Sequence, residues 1–390
     1  MLRSLFFCLQ AIWYHLYRTT SATEVGSLFH SRNVMKRLHV SDDPHKDFYA
    51  ASDFIDDVTH AYLAAGASHH FGIPSITNAA EVSVPSAESG STNFLLSEAE
   101  KFVKKHVDLA CADLTHDAPR SNQLKCKYCG KEYKKAHFLR NHEASVHDHQ
   151  PYQCELRNTD DHIYNYTSLF LYMALLRLEH NDAIQLADGD RMMRVNRMLT
   201  LVYKFSKCPK YAFCMLETCA QNRVLLPPGL AFELTWNRCV NWKGKVDSNF
   251  PNDKDMEHDN AVFKDQAHTY RGQFTEKNVM RISKSAGVTN EITKHISRLA
   301  GVKSSSGRHT DVSRENDIGM LATSLIQRGV YNVQPGRCHR GFDQVTQTPY
   351  YDLTSAKTIE DIKKWTGQWL RKFSYKSYYV RFEEQCTEQQ

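Results

Sequence analysis

Leu169-Phe170-Leu171-Tyr172-Met173-Ala174-Leu175-Leu176-Arg177-Leu178 sets nine apolar residues around a single arginine. A run of that length, apolar on every side, reads as a helix buried in a protein core. It falls short of the roughly 18 apolar residues that span a bilayer, and no other stretch of the chain reaches that length. The fold class is therefore settled here as mainly α, and the flanking segments agree. Downstream, helical spacing recurs over Asp190–Phe205 and Lys210–Gln221. Pro227-Pro228-Gly229 breaks the chain, and the pattern resumes from Leu230 to Val240. Residues 241–260 read as an irregular loop rich in Asn, Asp and Lys. Thr275–Leu299 is again helical, with an interruption expected at Gly287. Lys303-Ser304-Ser305-Ser306-Gly307 is a flexible segment, and Asn316–Gln327 a further helix.

Upstream, Leu5, Leu9, Ile12, Trp13 and Leu16 share one helical face, so Met1-Leu2-Arg3 and the apolar residues after it read as a buried amphipathic helix, not a secretory leader. Phe48–Leu63 is helical and Gly72-Ile73-Pro74 ends it. Residues 77–92 form a linker of low hydrophobicity, followed by a short helix from Leu95 to Ala110. At the other end, Ile362, Trp365, Trp369 and Phe373 recur at helical spacing within the basic, aromatic tail Trp365–Phe382. The expected organisation is a helical segment (1–76), a linker with one helix (77–122), a small metal-stapled module (123–149), a helical domain (160–300) and a C-terminal helical segment (301–390).

That module is the place where residue type and spacing dictate chemistry. Cys126 and Cys129 stand at C-x2-C, twelve residues separate Cys129 from His142, and His147 follows at H-x4-H. This is the ligand spacing of a ββα finger of the C2H2 type. Two thiolates and two imidazoles suit the borderline softness and tetrahedral preference of Zn2+. Gly130 supplies the turn after the second cysteine, and Tyr133 and Leu139 fill the small core behind the metal. A unit of about 25 residues cannot fold on its own core, so the metal supplies the missing stability. The positions that would face bases carry Lys135, Phe138 and Asn141. Lys134, Lys135 and Asn141 are thus the candidate nucleic-acid contacts. Pro151-Tyr152-Gln153-Cys154 resembles the opening of a second finger, but Arg157 stands where its second cysteine belongs. Three readings of the finger stay open: nucleic-acid contact, protein contact, or a zinc staple that holds local structure.

At 390 residues and 41% hydrophobic content the chain can bury a sizeable core. A net charge of +5 permits contact with a polyanion such as DNA or RNA without demanding it. Eleven scattered cysteines argue for a reducing compartment, nuclear or cytoplasmic, and against a disulfide framework. Two acidic clusters, Asp188-Gly189-Asp190 and the run holding Asp253, Asp255, Glu257, His258 and Asp259, offer carboxylates to a divalent cation. An ordinary turn with a helix cap explains the first, and solvation the second. The sequence holds no phosphate-binding P-loop, dinucleotide fingerprint, nucleophile elbow or H-E-x-x-H, so no catalytic residue and no small-molecule substrate is indicated. His69, His70 and His162 are isolated, and packed roles are expected for them.

Asp188-Gly189-Asp190-Arg191, Tyr211-Ala212, Leu234-Thr235-Trp236-Asn237-Arg238-Cys239-Val240-Asn241 and Met256-Glu257-His258-Asp259-Asn260 resemble the landmarks of an uncharacterised domain-of-unknown-function family. That family is repeated in animal genomes and is often taken to be transposon-derived. Phe29–Gly72 and the embedded finger resemble it too, and about two thirds of the chain is covered. The resemblance implies further sequence ahead of the first helix, hence a shortened copy or an incomplete gene, and carries no assigned chemistry. The expected function is a zinc-binding, nucleic-acid-associated protein derived from a mobile element, without intact catalysis. The alternatives are a divalent-metal nuclease or transposase remnant using Asp190 or Glu257, and a zinc-stapled helical module that binds other proteins. No membrane partner is expected for any of the three.

Overall fold

The computed structural model describes residues 2–44, 46–76, 88–107, 124–125, 132–133, 161–241, 244–252, 260, 263–264, 267–268, 275–301, 314–342, 345–346 and 356–376. Helices dominate: α1 Leu2–Leu16, α2 Leu28–Val34, α3 Phe48–His70, α4 Glu88–His106, α5 His162–Gln185, α6 Gly189–Phe205, α7 Pro209–Ala220, α8 Pro228–Trp236, α9 Glu276–Leu299, α10 Arg314–Arg328 and α11 Ala356–Lys376. Two antiparallel hairpins complete the described elements, β1 Leu124–Lys125 with β2 Glu132–Tyr133, and β3 Cys239–Val240 with β4 Phe250–Pro251. The fold is mainly α.

Helix α5 contains the quoted apolar run and is the centre of the core. Sixteen of its 24 residues are buried, on all faces rather than along one stripe. Such a helix must be jacketed by others. α1, α6 and α3 pack against it, and α10 packs against α3. The face of α1 read from sequence is buried as expected: Leu9, Ile12 and Leu16 are fully enclosed, with Leu5 and Trp13 nearly so. Three buried phenols stitch the layers through backbone carbonyls. Tyr166 of α5 donates to Leu16 at 2.8 Å, Tyr62 of α3 to Gly26 at 2.6 Å, and Tyr331 to Tyr62 at 2.7 Å. One continuous apolar cluster draws on α1, α3, α5, α6, the end of α4, α10 and the segment after it.

Several boundaries differ from the sequence reading, each for a physical reason. α4 begins at Glu88, within the stretch read as linker, because a polar helix needs only Phe102 and His106 to dock it. α9 runs through Gly287 without a break, since one glycine costs an exposed helix only about 1 kcal/mol. The helix expected to reach Val240 stops at Trp236, and Cys239 and Val240 turn into a strand that pairs with Pro251 and Phe250 inside the stretch read as irregular loop. Between α7 and α8, Gln221–Leu225 forms one π-helical turn. In α11, Trp365 packs on the core and Trp369 meets Phe213 with ring centroids 4.1 Å apart, as the helical spacing implied.

Two basic side chains sit inside the central helix. Arg177 is paired with Asp56 and bonded to Ser52 of α3. His180 is fully buried, and neither ring nitrogen has a hydrogen-bond partner among the described residues. Burial pushes its pKa down to about 3, and those of His15, His106 and His339 down to about 4. All four are neutral in the folded state at neutral pH. Unfolding lets each take a proton near its ordinary value of 6.5. The unfolded chain then binds more protons, so the stability these groups contribute is complete above about pH 6.5 and is lost as pH falls toward 4. Denaturant midpoints of the full chain at pH 7 and pH 5 should show this loss. In His180→Leu the difference between the two pH values should shrink by roughly 1–2 kcal/mol. An unchanged difference would mean that His180 is not held neutral.

Candidate metal centre and its setting

In β1–β2, Leu124 pairs with Tyr133 and Lys125 with Glu132. Residues 126–131 are therefore the connection between two paired strands, and they contain Cys126, Cys129 and Gly130. In sequence the C-x2-C pair therefore falls within the six residues that join β1 to β2, and Tyr133 is the second residue of β2. Cys126 and Cys129 themselves, and His142, His147, Lys134, Lys135 and Asn141, lie outside the described residues, as do Cys154 and Arg157. The donor set suits Zn2+, two thiolates and two imidazoles being a common mixed set of structural zinc sites. Among the described residues, no group of three or more metal-capable side chains converges.

In sequence the hairpin lies in the excursion between α4 and α5, and the end of α4 and the start of α5 are bonded to each other. The Tyr164 hydroxyl, in the first turn of α5, donates to the Lys105 carbonyl at 3.1 Å. The same oxygen lies 3.2 Å from His106 Nδ1, which must then carry the proton and donate. The chain leaves α4 and re-enters α5 at one spot. Asp161 secures the return. One carboxylate oxygen caps α5, accepting from the Ile163 and Tyr164 amides at 3.0 and 3.1 Å. The other accepts from the Gln334 amide at 2.8 Å and from Arg337 Nε and Nη2 at 2.9 and 2.5 Å. Sequence reasoning missed this knot. Its signal was an Asp-His pair just ahead of the apolar run, which is an N-cap pattern.

The two acidic clusters come out differently. Asp188 is the N-cap of α6 and accepts from the Arg191 amide at 3.0 Å. A side chain at Gly189 would meet the Thr235 carbonyl oxygen at 2.4 Å, so glycine lets α8 lie against the start of α6. Asp190 is exposed in the first turn of α6, where a carboxylate suits the helix dipole. Arg191 is forked onto Glu179 at 2.8 and 2.6 Å and also reaches Asp182 at 2.7 Å. The Asp-Gly-Asp-Arg landmark is thus a helix start. Asp253, Asp255, Glu257, His258 and Asp259 lie outside the described residues. His70 bonds Glu98 at 2.7 Å and His69 stacks on Tyr331, which are packed roles. No described helix is long and apolar enough to cross a membrane, and the six described cysteines are free thiols.

Fold and site together define a helical protein in which the ends of α4 and α5 meet and the segment joining them carries the β1–β2 hairpin. The chain belongs to the DUF6589 family, a family of unknown function, whose model matches residues 5–309. No zinc-finger family is found. No curated protein and no solved structure matches the chain. Helices α10 and α11 lie beyond the matched region, yet Leu321, Ala322 and Leu325 of α10 are fully enclosed in the core.

Replacing Asp161 with Ala should cost about 3–5 kcal/mol, because it leaves Arg337 half-enclosed without its partner and α5 without its cap. Chemical denaturation of the two proteins measures this. A loss below about 1 kcal/mol would show that the knot is dispensable.

Proposed function

We propose that this is a zinc-binding protein of the C2H2-finger type that associates with nucleic acid, derives from a mobile element and lacks intact catalysis. One observation supports the metal reading: the paired strands β1 and β2 flank, in sequence, the short segment that carries Cys126 and Cys129, and a C-x2-C pair joining two strands is how a finger of this type offers two thiolates to one ion. His142 and His147, at the spacing of one helical turn or slightly more, would supply the other two ligands. Bound Zn2+ would give this short segment the stability that its few apolar residues cannot.

The nucleic-acid reading rests on the charge beside these ligands. Lys131, Lys134, Lys135 and Arg140 neutralise phosphates without reading bases. Phe138 offers no hydrogen bond at the middle base-reading position, so sequence preference is weak. The reading without catalysis draws on the first acidic cluster, where Asp188 is engaged as a helix cap. A protein-binding role draws on a different feature. Val288, Ile292, Ile296 and Leu299 form an exposed apolar stripe along α9.

Purified, reduced protein should contain one equivalent of zinc per chain. Cys129→Ser should lose it while keeping most of the helical circular dichroism, because the helical body closes at Tyr164 without the excursion. Metal analysis that finds no zinc in the unaltered chain would end the metal reading. Binding to DNA should weaken steeply from roughly 50 to 200 mM salt. The double change Lys134→Ala, Lys135→Ala should weaken binding to all sequences alike. Selection from a random pool that enriches one motif longer than about four base pairs would contradict a single weak finger.

A further inference from the structure

Between Arg191 and Arg223 the chain carries seven basic residues and one acidic residue, Glu217. Arg191 is occupied by Glu179 and Asp182. The other six are Arg194, Arg197, Lys204, Lys207, Lys210 and Arg223, and among the described residues none of them forms an ion pair. Lys204 is half-buried, and the other five are exposed.

The fold gathers them on one side. At 3.6 residues per turn, Arg194, Arg197 and Lys204 fall within about 80° of arc on α6, along roughly 15 Å of its length. α7 runs back alongside α6, the most extensive helix pairing among the described elements. Lys207 and Lys210 sit where the two helices join, and Arg223 sits in the π-helical turn at the far end of α7. Arg197 and Arg223 both lie within electrostatic reach of the Cys219 thiol on α7, as does Arg238. The stripe thus begins at Arg194, Arg197 and Arg223 and ends at Lys204, Lys207 and Lys210. Lys204 lies 5.4 Å from the centre of the Trp365 ring and Lys207 5.3 Å from that of Tyr14, which seats that end.

A solvated helix face normally intersperses both signs. Like charges three residues apart, as at Arg194 and Arg197, weaken a helix. Asp190 opens the same face one turn before Arg194, and Glu179 lies within electrostatic reach of Arg194, so the start of the stripe is partly compensated. From Arg197 onward the face carries only positive charge, which is a cost in the free protein that a polyanion offsets. A protein partner would need an apolar centre to its interface, and an anionic membrane would need apolar residues to insert. On α6 the one exposed large apolar side chain is Met198, and along the rest of the track Val224 follows Arg223 at one end and Tyr14 lies beside Lys207 at the other, so no apolar centre forms between them. What remains is charge spread over a length of several phosphates.

We infer that the exposed face of α6, with Arg194, Arg197 and Lys204 along it and Arg223, Lys207 and Lys210 at its ends, is a contact track for the phosphate backbone of nucleic acid, separate from the finger. The track takes its class of partner from the nucleic-acid reading above. Its surface and its test are independent of the zinc ligands.

Binding of the full chain to a duplex DNA of random sequence, measured over the same salt range, tests it. In Arg194→Ala, Arg197→Ala, Arg223→Ala the slope of log affinity against log salt should fall by up to about 2.7, roughly 0.9 for each phosphate that is no longer neutralised. Affinity near physiological salt should drop at least tenfold. Lysine at the same three positions should restore the slope, which a purely structural defect would not allow. Cys129→Ser should leave this part of the slope in place. A slope unchanged in the triple alanine variant would overturn the inference, even if Cys129→Ser abolished binding and so upheld the finger. If the triple variant loses its slope and Cys129→Ser changes nothing, the track stands and the finger reading fails. Binding only to acidic peptides or to phosphatidylserine vesicles, with none to DNA or RNA, would overturn the inference.

Discussion

Everything in this protein is arranged around a helix that cannot be left in water on any side. α5 buries apolar side chains all round, and its neighbours are needed to cover it. That demand explains why segments far apart in sequence share one core cluster. It also explains why α10, outside the region the family model covers, is not an appendage. Its Leu321, Ala322 and Leu325 are fully enclosed, and its Asp317 approaches Arg37 at 3.6 Å. Arg37 in turn holds Asp57 at 2.7 Å beneath it, and burial pushes the Asp57 carboxyl up against the pull of Arg314 and Arg37. Breaking such a buried pair is far costlier than never having had it. The charges in the core therefore fix which helix faces which.

The same principle separates Arg177 from His180, one helical turn apart on α5. A guanidinium cannot shed its charge, so Arg177 is met by Asp56 and Ser52. An imidazole can, so His180 is simply enclosed as the neutral ring. Neither role is visible in the sequence, where both residues look like interruptions of an apolar run. The run itself was legible because its length and density leave little else for it to be. α1 was legible because five apolar residues fell on one face. The strand at Cys239 and Val240 was not, because two residues of pairing leave no periodicity to read. α4 was hidden by its polarity: only Phe102 and His106 are buried near its end, and the rest of the helix has the composition of a linker.

Legibility of function followed a different rule. Spacing is what proposes a metal site, since ligand spacing is local in sequence for a finger, and its four ligands lie outside the described residues. Spacing is ambiguous at Asp188 and Asp190, because a turn before a helix and a cation site use the same residues. The landmarks around Thr235 have the same origin: Gly189 and Thr235 touch because α8 packs on the start of α6. The basic stripe was unreadable until α6 and α7 were laid side by side. Six basic residues among apolar ones look ordinary along the chain, and only the helix geometry collects them.

The hydrogen bonds of Tyr164 to Lys105 and His106, with the Asp161 knot beside them, make the base of the excursion a closed ring. The entropy lost in closing such a loop grows only with the logarithm of its length, so doubling the excursion would cost about 0.6 kcal/mol. The helical body is therefore nearly indifferent to what is threaded between α4 and α5. Sequence there can lengthen, shorten or be exchanged for another small module while the core keeps its packing. A copy of this chain with a different insert at that position would be expected to keep the same helices around α5.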